Sequence, residues 1–161
     1  MFLWFVIVAP IAVAEVFRSP MVDYRFVAIG AALPLVEVAL GQPVFAHSLL
    51  APVLGLGLVM AFTRNRRLLR RRLLGIPIGM FLHLVLDGTW TNAELFWWPA
   101  FGIEFGEQTL PELDRSVLFG AVLEVLALVL GFVAWRRYGL DASENRRLLW
   151  REGHLARSVF R

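Results

Sequence analysis

Five long apolar segments constrain this chain more than any other feature of its sequence. They cover about residues 1 to 17, 24 to 41, 44 to 62, 73 to 89 and 116 to 135. A helix of about 17 to 20 residues rises roughly 25–30 Å, which is close to the hydrocarbon thickness of a bilayer. The segments therefore predict an all-α integral membrane protein with about five transmembrane helices in one compact bundle.

The composition supports the same class of protein. Hydrophobic residues make up 58% of the 161 residues, whereas soluble domains have an apolar share of about 45–50%. The chain contains no cysteine, which excludes a disulfide framework, a thiolate metal site and a cysteine nucleophile. Any metal ion must therefore be bound by histidine, aspartate or glutamate.

The basic residues are all arginines, and their positions predict the topology. Seven of the 16 follow the last apolar segment, and six lie between the third and fourth segments: Arg64, Arg66, Arg67, Arg70, Arg71 and Arg72. Basic loops stay on the cytoplasmic side of a membrane, so the N-terminus is expected outside and the C-terminus in the cytoplasm. Runs of this kind bind anionic lipid headgroups more often than nucleic acid, and we expect membrane lipid rather than nucleic acid as the partner.

The regions outside the apolar segments divide into an outer loop and a tail. Residues 90 to 115 are acidic and aromatic, and their Trp97-Trp98-Pro99 core is expected to lie along the outer interface. Residues 1–140 are predicted to form the transmembrane domain and residues 141–161 a basic cytoplasmic tail. The tail reads as one amphipathic helix opened by a capping box of Asp141 and Glu144, with His154 facing solvent.

Ionisable residues within membrane spans are costly, and four of them are predicted to lie at one depth. Glu37, His47, His83 and Asp87 come from three different segments, each close to the outer surface. His83 and Asp87 are four residues apart, which places them on one helical face. Two imidazoles and two carboxylates suit zinc, manganese or iron, with zinc favoured in a four-coordinate site. An aspartate that only hydrogen-bonds the histidine is the open alternative.

Each group has a predicted role. His47, His83 and Asp87 would bind the metal, and Glu37 would be a fourth ligand or the general base that takes a proton from bound water. Ser48 is a poor nucleophile beside His47, and its hydroxyl is expected to bond the carbonyl four residues earlier. Glu15 is predicted to be structural. Glu124 is either a partner of an imidazole or a protonated acid bonded to a carbonyl. The residues predicted to support or cap the site are Gln42, Ser48, Trp90, Glu94, Trp98 and Glu124.

At these residues the chain resembles the bacterial YdjM-like family of membrane-bound metal-dependent hydrolases. The similarity runs from about residue 27 to 102 and follows the family's order of motifs: Leu33-Pro34 with Glu37, His47-Ser48, His83 to Asp87, and Trp98-Pro99. The sequence departs from the family at Leu35, Gln42 and Ala46, where an acid, a histidine and a threonine are typical. The resemblance implies a bacterial inner-membrane location, a helical fold related to zinc-dependent phospholipase-C-like enzymes, and metal ligands at the matching positions. The departures favour a single-ion site or an inactive member.

Three functions are compatible with the sequence. The first is a metal-dependent hydrolase that acts at the outer leaflet on a lipid-linked phosphoester or acyl substrate, because the predicted ion lies at headgroup depth. The second is a non-catalytic membrane subunit whose aromatic loop docks a protein partner of an envelope complex, or a homo-oligomer. The third, ion passage through buried glutamates, is less favoured because no paired repeats are present.

Overall fold

The computed structural model describes residues 1–40, 45–100 and 115–160, and within these ranges all regular secondary structure is helical. Short 3-10 turns lie at Phe45–His47, Thr89–Thr91 and Arg157–Phe160, and a π-helical turn lies at Leu148–Glu152. The all-helical prediction is confirmed for the described residues. The α-helices found there are α1 (Phe2–Phe17), α2 (Tyr24–Ala32), α3 (Leu35–Leu40), α4 (Leu50–Phe62), α5 (Arg67–Leu73), α6 (Gly75–Asp87), α7 (Ala93–Phe96), α8 (Val117–Arg137) and α9 (Ser143–Arg147).

The second apolar segment forms two helices rather than one, with a break at Pro34. α2 ends at Ala32, and α3 begins at Leu35. The last carbonyl groups of a helix have no partner within it, so the break leaves carbonyls in the last turn of α2 available to side chains of other helices. His83 of α6 uses one of them.

The long helices alternate in direction along the chain. α4 runs opposite to α6, because His47 just before α4 contacts His83 near the end of α6, and Gly55 lies beside Pro77 near its start. α2 and α6 run the same way, because Gly75 lies beside Asp23 at the start of α2 and His83 lies beside its last turn. α1 runs opposite to α6, since the indole of Trp4 donates to the carbonyl of Leu86. α1 and α8 are parallel. Leu3 at the start of α1 bonds Glu124 in the first half of α8, and Glu15 near the end of α1 pairs with Arg137 at the end of α8.

The core lies where α1, α2 and α6 meet, and much of the outer surface is apolar. Phe5 and Val13 of α1 and Val27 of α2 are buried, whereas Val117 and Phe132 of α8 are 91% and 67% exposed. Among the described helices, α8 is the one long and apolar enough to cross a membrane, with a mean hydropathy of 2.6. α1 and α4 are apolar but shorter. The five predicted spans therefore stay a prediction.

Glu15 joins the ends of α1 and α8. Its carboxylate accepts a hydrogen bond from the Tyr138 hydroxyl at 2.9 Å and lies 3.1 Å from the Arg137 guanidinium. Burial raises the pKa of the Tyr138 hydroxyl, and the hydrogen bond to Glu15 raises it further. These contacts agree with the structural role expected of Glu15.

The tail does not form the single amphipathic helix that was predicted. α9 follows Ala142, which provides no side-chain cap. Asp141 instead accepts a hydrogen bond from the Trp135 indole at 3.0 Å and lies 3.5 Å from Arg136. The predicted capping box is therefore wrong, because the Asp141 carboxylate binds side chains of α8. Gly153, with φ 79°, ends the π-helical turn and redirects the chain.

The tail packs onto the beginning of α2. The amide of Tyr24 donates to the carbonyl of Gly153 at 2.8 Å, and His154 Nδ1 donates to the carbonyl of Val22 at 3.0 Å. Arg25 donates to carbonyls of the π-helical turn. The expectation that His154 faces solvent is wrong, because its ring is half-buried in this contact.

Candidate metal centre

α2 and α6 approach each other closely because glycines line their contact. A Cβ atom on Gly30 would lie 2.1 Å from the carbonyl oxygen of Ile76, and one on Gly79 would lie 2.1 Å from that of Val27. Small residues at a helix interface allow two backbones to touch in this way. The contact places the second half of α6, which carries His83, against the last turn of α2.

His83 is completely buried, and its ring contacts both α2 and α1. Its Nδ1 lies 2.8 Å from the carbonyl oxygen of Ala31, and Phe5 of α1 stacks on its ring at a centroid distance of 3.9 Å. A carbonyl only accepts hydrogen bonds, so Nδ1 carries the hydrogen. In the neutral imidazole the lone pair is then on Nε2.

Glu37 and His47 form the second half of the centre. The Glu37 carboxylate accepts hydrogen bonds from the amide of Ala46 at 2.6 Å, from the amide of His47 at 3.2 Å and from His47 Nδ1 at 2.9 Å. α3 supplies the carboxylate, and the turn Phe45–His47 supplies all three donors. The carboxylate therefore fixes both the turn and the imidazole orientation.

The two imidazoles meet edge to face. Their centroids are 5.3 Å apart, and their planes make an angle of 79°. Both Nε2 atoms are buried, and His47 Nε2 has no hydrogen-bond partner among the described residues. Such a buried nitrogen normally has a partner, because leaving it unsatisfied costs about 1–3 kcal/mol.

Asp87 forms an ion pair at the end of α6. Its Oδ1 lies 3.0 Å from Arg115 Nη1, its Oδ2 accepts a hydrogen bond from the Thr89 hydroxyl at 2.9 Å, and its main-chain carbonyl also accepts from Arg115. Gly88, with φ 75°, ends the helix directly after Asp87. The aspartate is completely buried, so Arg115 balances a charge that would otherwise be costly.

The imidazoles fit a metal ion better than the two acids do. Metal-ligating histidines usually donate their other ring nitrogen to a carboxylate or a carbonyl, and Glu37 and Ala31 are such acceptors. The oxygens of Glu37 and Asp87 already accept the hydrogen bonds described above. Across residues 1–40, 45–100 and 115–160, no three metal-ligating side chains gather into one cluster. The structure thus pairs Glu37 with His47, places the His47 ring against that of His83, and joins Asp87 to Arg115.

The other predicted site residues have varied surroundings. The Ser48 hydroxyl donates to the carbonyl of Phe45 at 2.8 Å, three residues earlier rather than the four expected. Trp90 is 58% exposed, Glu94 is exposed in α7, and Trp98 is half-buried. Gln42 lies outside the described residues, as do residues 101–114 of the predicted outer loop.

Glu124 supports α1 rather than an imidazole. Its Oε2 accepts a hydrogen bond from the amide of Leu3 at 3.1 Å, and its Oε1 lies 3.5 Å from the amino group of Met1. The first amides of a helix have no partner within it, and Glu124 satisfies one of them. Both roles predicted for Glu124 are therefore corrected, because its acceptors serve N–H groups of α1.

Sequence reasoning missed three residues of this region: Phe5, Thr89 and Arg115. Thr89 follows Asp87 by two residues, a spacing that allows a local hydrogen bond and could have been noticed. Arg115 was the single basic residue in an acidic loop, which was the available signal for a buried carboxylate partner. The stacking of Phe5 on His83 depends on helix packing and has no such signal.

Comparisons with protein-family models, with curated proteins and with solved structures find no match to this chain. The resemblance to the YdjM-like family therefore stays a prediction that rests on the motif residues.

Proposed function

We propose that the chain is a membrane-bound, metal-dependent hydrolase whose ion, most readily zinc, is bound by His47 and His83. The observation that carries this proposal is the buried Nε2 atom of His47, which lacks a partner among the described residues while Nδ1 is hydrogen-bonded to Glu37. A metal ion would bind the lone pair that this arrangement leaves on Nε2 of His47. The anchored Nδ1 of His83 supports a second ligand of the same kind.

The protein's own residues orient these ligands. Zinc held by His47 and His83 would supply an activated water as the nucleophile for hydrolysis. Glu37 holds one tautomer of His47, and the Ala31 carbonyl holds one tautomer of His83. We assign Glu37 as a positioning residue, because a general-base role would require its carboxylate to release N–H donors of the turn at Phe45–His47.

The apolar surface supports a location in a membrane. Large exposed apolar residues cover α4 and α8, whereas a soluble monomer seldom exposes a contiguous apolar patch above about 300–600 Å². The alternating helix directions fit segments that cross a bilayer in turn, and the arginine-rich α5 would face the cytoplasm. α1, with 16 residues, rises only about 24 Å, so we propose that flanking turns complete the shorter spans inside the protein. The membrane would be the bacterial inner membrane, with the N-terminus outside.

The substrate would be a lipid-linked phosphoester or an acyl ester at the outer leaflet. In the proposed topology the imidazole pair lies near the outer ends of α3 and α6. Ester groups of membrane lipids are found at this depth. A centre just beneath the headgroups would therefore act on a lipid that stays in the membrane.

Metal analysis of the purified protein tests this proposal. We expect about one zinc per chain, and a loss of that zinc in His47→Ala and in His83→Ala. His154→Ala is the matched control, because that imidazole also bonds a carbonyl but lies in the tail contact, and its metal content should be unchanged. A folded protein that binds no zinc, or that retains it in both site variants, would rule out the proposed centre.

The second candidate is a non-catalytic membrane subunit that binds a protein partner or a second copy. It is favoured by the engagement of Glu37 and Asp87 in hydrogen bonds and by the exposure of Trp90 and Trp97, at 58% and 50%. For this function, Trp97→Ala would release a copurifying partner while His83→Ala would not. The opposite pattern supports the hydrolase.

A further inference from the structure

An apolar groove lies between α1, α4 and α6, beside the metal centre. Its volume is about 330 Å³, which is within the range of about 300–1,000 Å³ for small-molecule sites. Every side chain that lines it is a hydrocarbon. Val13, Pro52 and Pro77 form a buried floor, and the exposed rim includes Val16, Val53 and Phe81.

The lining determines which kind of ligand can bind in the groove. A polar ligand would lose hydrogen bonds to water without replacing them, which is unfavourable for each polar group that enters the groove. One turn of an α-helix with its side chains, about 10–12 Å wide and 5.4 Å long, fills more than about 400 Å³, which exceeds the volume of the groove. A single hydrocarbon chain satisfies both restrictions.

One end of the groove lies beside the segments that carry the two imidazoles, and the imidazoles themselves are buried behind its lining. Leu49, at one end, follows His47 by two residues, and Leu82 directly precedes His83. The groove then extends along α1 to Val16 and Phe17. A chain that occupies it would therefore have one end next to the metal centre.

We infer that the groove binds one hydrocarbon chain of a membrane lipid and thereby places the polar head of that lipid beside the segments that carry His47 and His83. The substrate class is thus a lipid with an extended chain, and this inference rests on the proposed function. The lipid interior is as apolar as the groove, so no hydrophobic gain drives the chain into it. The groove acts instead by orienting the bond that is to be cleaved.

Photo-crosslinking of the full chain in lipid nanodiscs tests the inference. The probe is a phosphatidylcholine with a diazirine in one acyl chain, and adducts are mapped by peptide mass spectrometry. We expect adducts concentrated at Val16, Val53 and Phe81. Ala12→Phe, which fills the groove, should remove most of them. The matched control, Ala121→Phe on the exposed face of α8, should leave them unchanged.

A second pair of variants covers the case in which Ala12→Phe does not fold. Val16→Trp narrows the rim, whereas Val125→Trp adds the same bulk to α8 at a similarly exposed position. Adducts that survive in both groove variants, adducts equally frequent on α8, or protein–protein crosslinks in place of lipid adducts would overturn the inference. His47→Ala should lose zinc but keep the adducts, so failure of the metal centre and failure of the groove give different results.

Discussion

His47 and His83 differ in the group that orients each imidazole. His83 is held by a main-chain carbonyl and by stacking with Phe5, whereas His47 depends on the carboxylate of Glu37. That carboxylate also accepts two amide hydrogens from the turn before α4. A change at Glu37 therefore affects His47 and its turn while leaving the anchors of His83 in place.

Glu37→Gln tests this arrangement. The glutamine side chain has one acceptor oxygen where glutamate has two, and its NH₂ group would face an N–H donor of the turn Phe45–His47. At least one hydrogen bond of that turn is therefore lost. We expect the free energy of unfolding to fall by about 1–3 kcal/mol and zinc affinity to fall by about 10–100-fold. Thermal unfolding and zinc titration measure the two effects. Glu152→Gln, an exposed change in the tail, should alter neither, and a wild-type affinity in Glu37→Gln would contradict the positioning role.

The same residues show how far a sequence can predict a site. The cost of burying ionisable groups predicted that Glu37, His47, His83 and Asp87 would converge, and the structure pairs Glu37 with His47 and His47 with His83. Asp87 instead pairs with Arg115, whose place as the lone basic residue of the acidic loop was the available signal. That pair spans 28 residues of sequence, and neither helical periodicity nor depth indicates which charge a buried carboxylate meets.

At the scale of helices, the glycine contact between α2 and α6 determines where His83 lies. Gly79→Ala adds a Cβ that would be 2.1 Å from the carbonyl oxygen of Val27, so the helices must separate. We expect a loss of at least about 1–3 kcal/mol in the free energy of unfolding, measured by denaturant titration in detergent. Gly57→Ala in α4, where a Cβ meets nothing within 4 Å, should instead be neutral or gain up to about 1 kcal/mol. Equal effects would contradict the packing argument.

Helix positions were predictable and helix irregularities were not. Apolar run length located α1, α6 and α8 to within about two residues, since it reflects the lipid or protein interior that the helix needs. α4 begins six residues after the start of its apolar segment, because the turn Phe45–His47 precedes it. Pro34 was recognised as a proline within a span, but the sequence does not show whether a proline kinks a helix or ends it. The prediction for the tail was wrong for another reason. The Asp141 carboxylate binds Trp135 and Arg136 of α8 instead of the first amides of α9.

At the scale of the whole molecule, the tail connects to the bundle through Gly153. Gly153→Ala would combine a positive φ with a Cβ 1.8 Å from Asp23 Oδ1, and we expect it to release the tail. Limited trypsin digestion measures this release, because cleavage after Arg151 and Arg157 should become several-fold faster. Ala142→Ser, at the exposed start of α9, should not change the rate. Unchanged cleavage in Gly153→Ala would contradict the contact.

The absence of cysteine allows the membrane topology to be tested with single reporters. Ser116→Cys precedes α8, and Ser143→Cys lies in α9; both positions are exposed. In the proposed topology, a membrane-impermeant maleimide labels Ser116→Cys in intact cells and labels Ser143→Cys only after the membrane is opened. Labelling of both variants in intact cells, or the reverse order, would contradict the proposed orientation.

The hydrogen bond from His83 to the Ala31 carbonyl has a consequence for mutational tolerance. Every amino acid carries a main-chain carbonyl, so the tautomer of His83 does not depend on the side chain at position 31, provided that it is small enough for the glycine contact. Ala31→Ser should keep this ligand in place, whereas no substitution at Glu37 reproduces its carboxylate geometry. Small substitutions at position 31 should therefore leave the orientation of His83 unchanged, whereas any substitution at Glu37 should disturb that of His47.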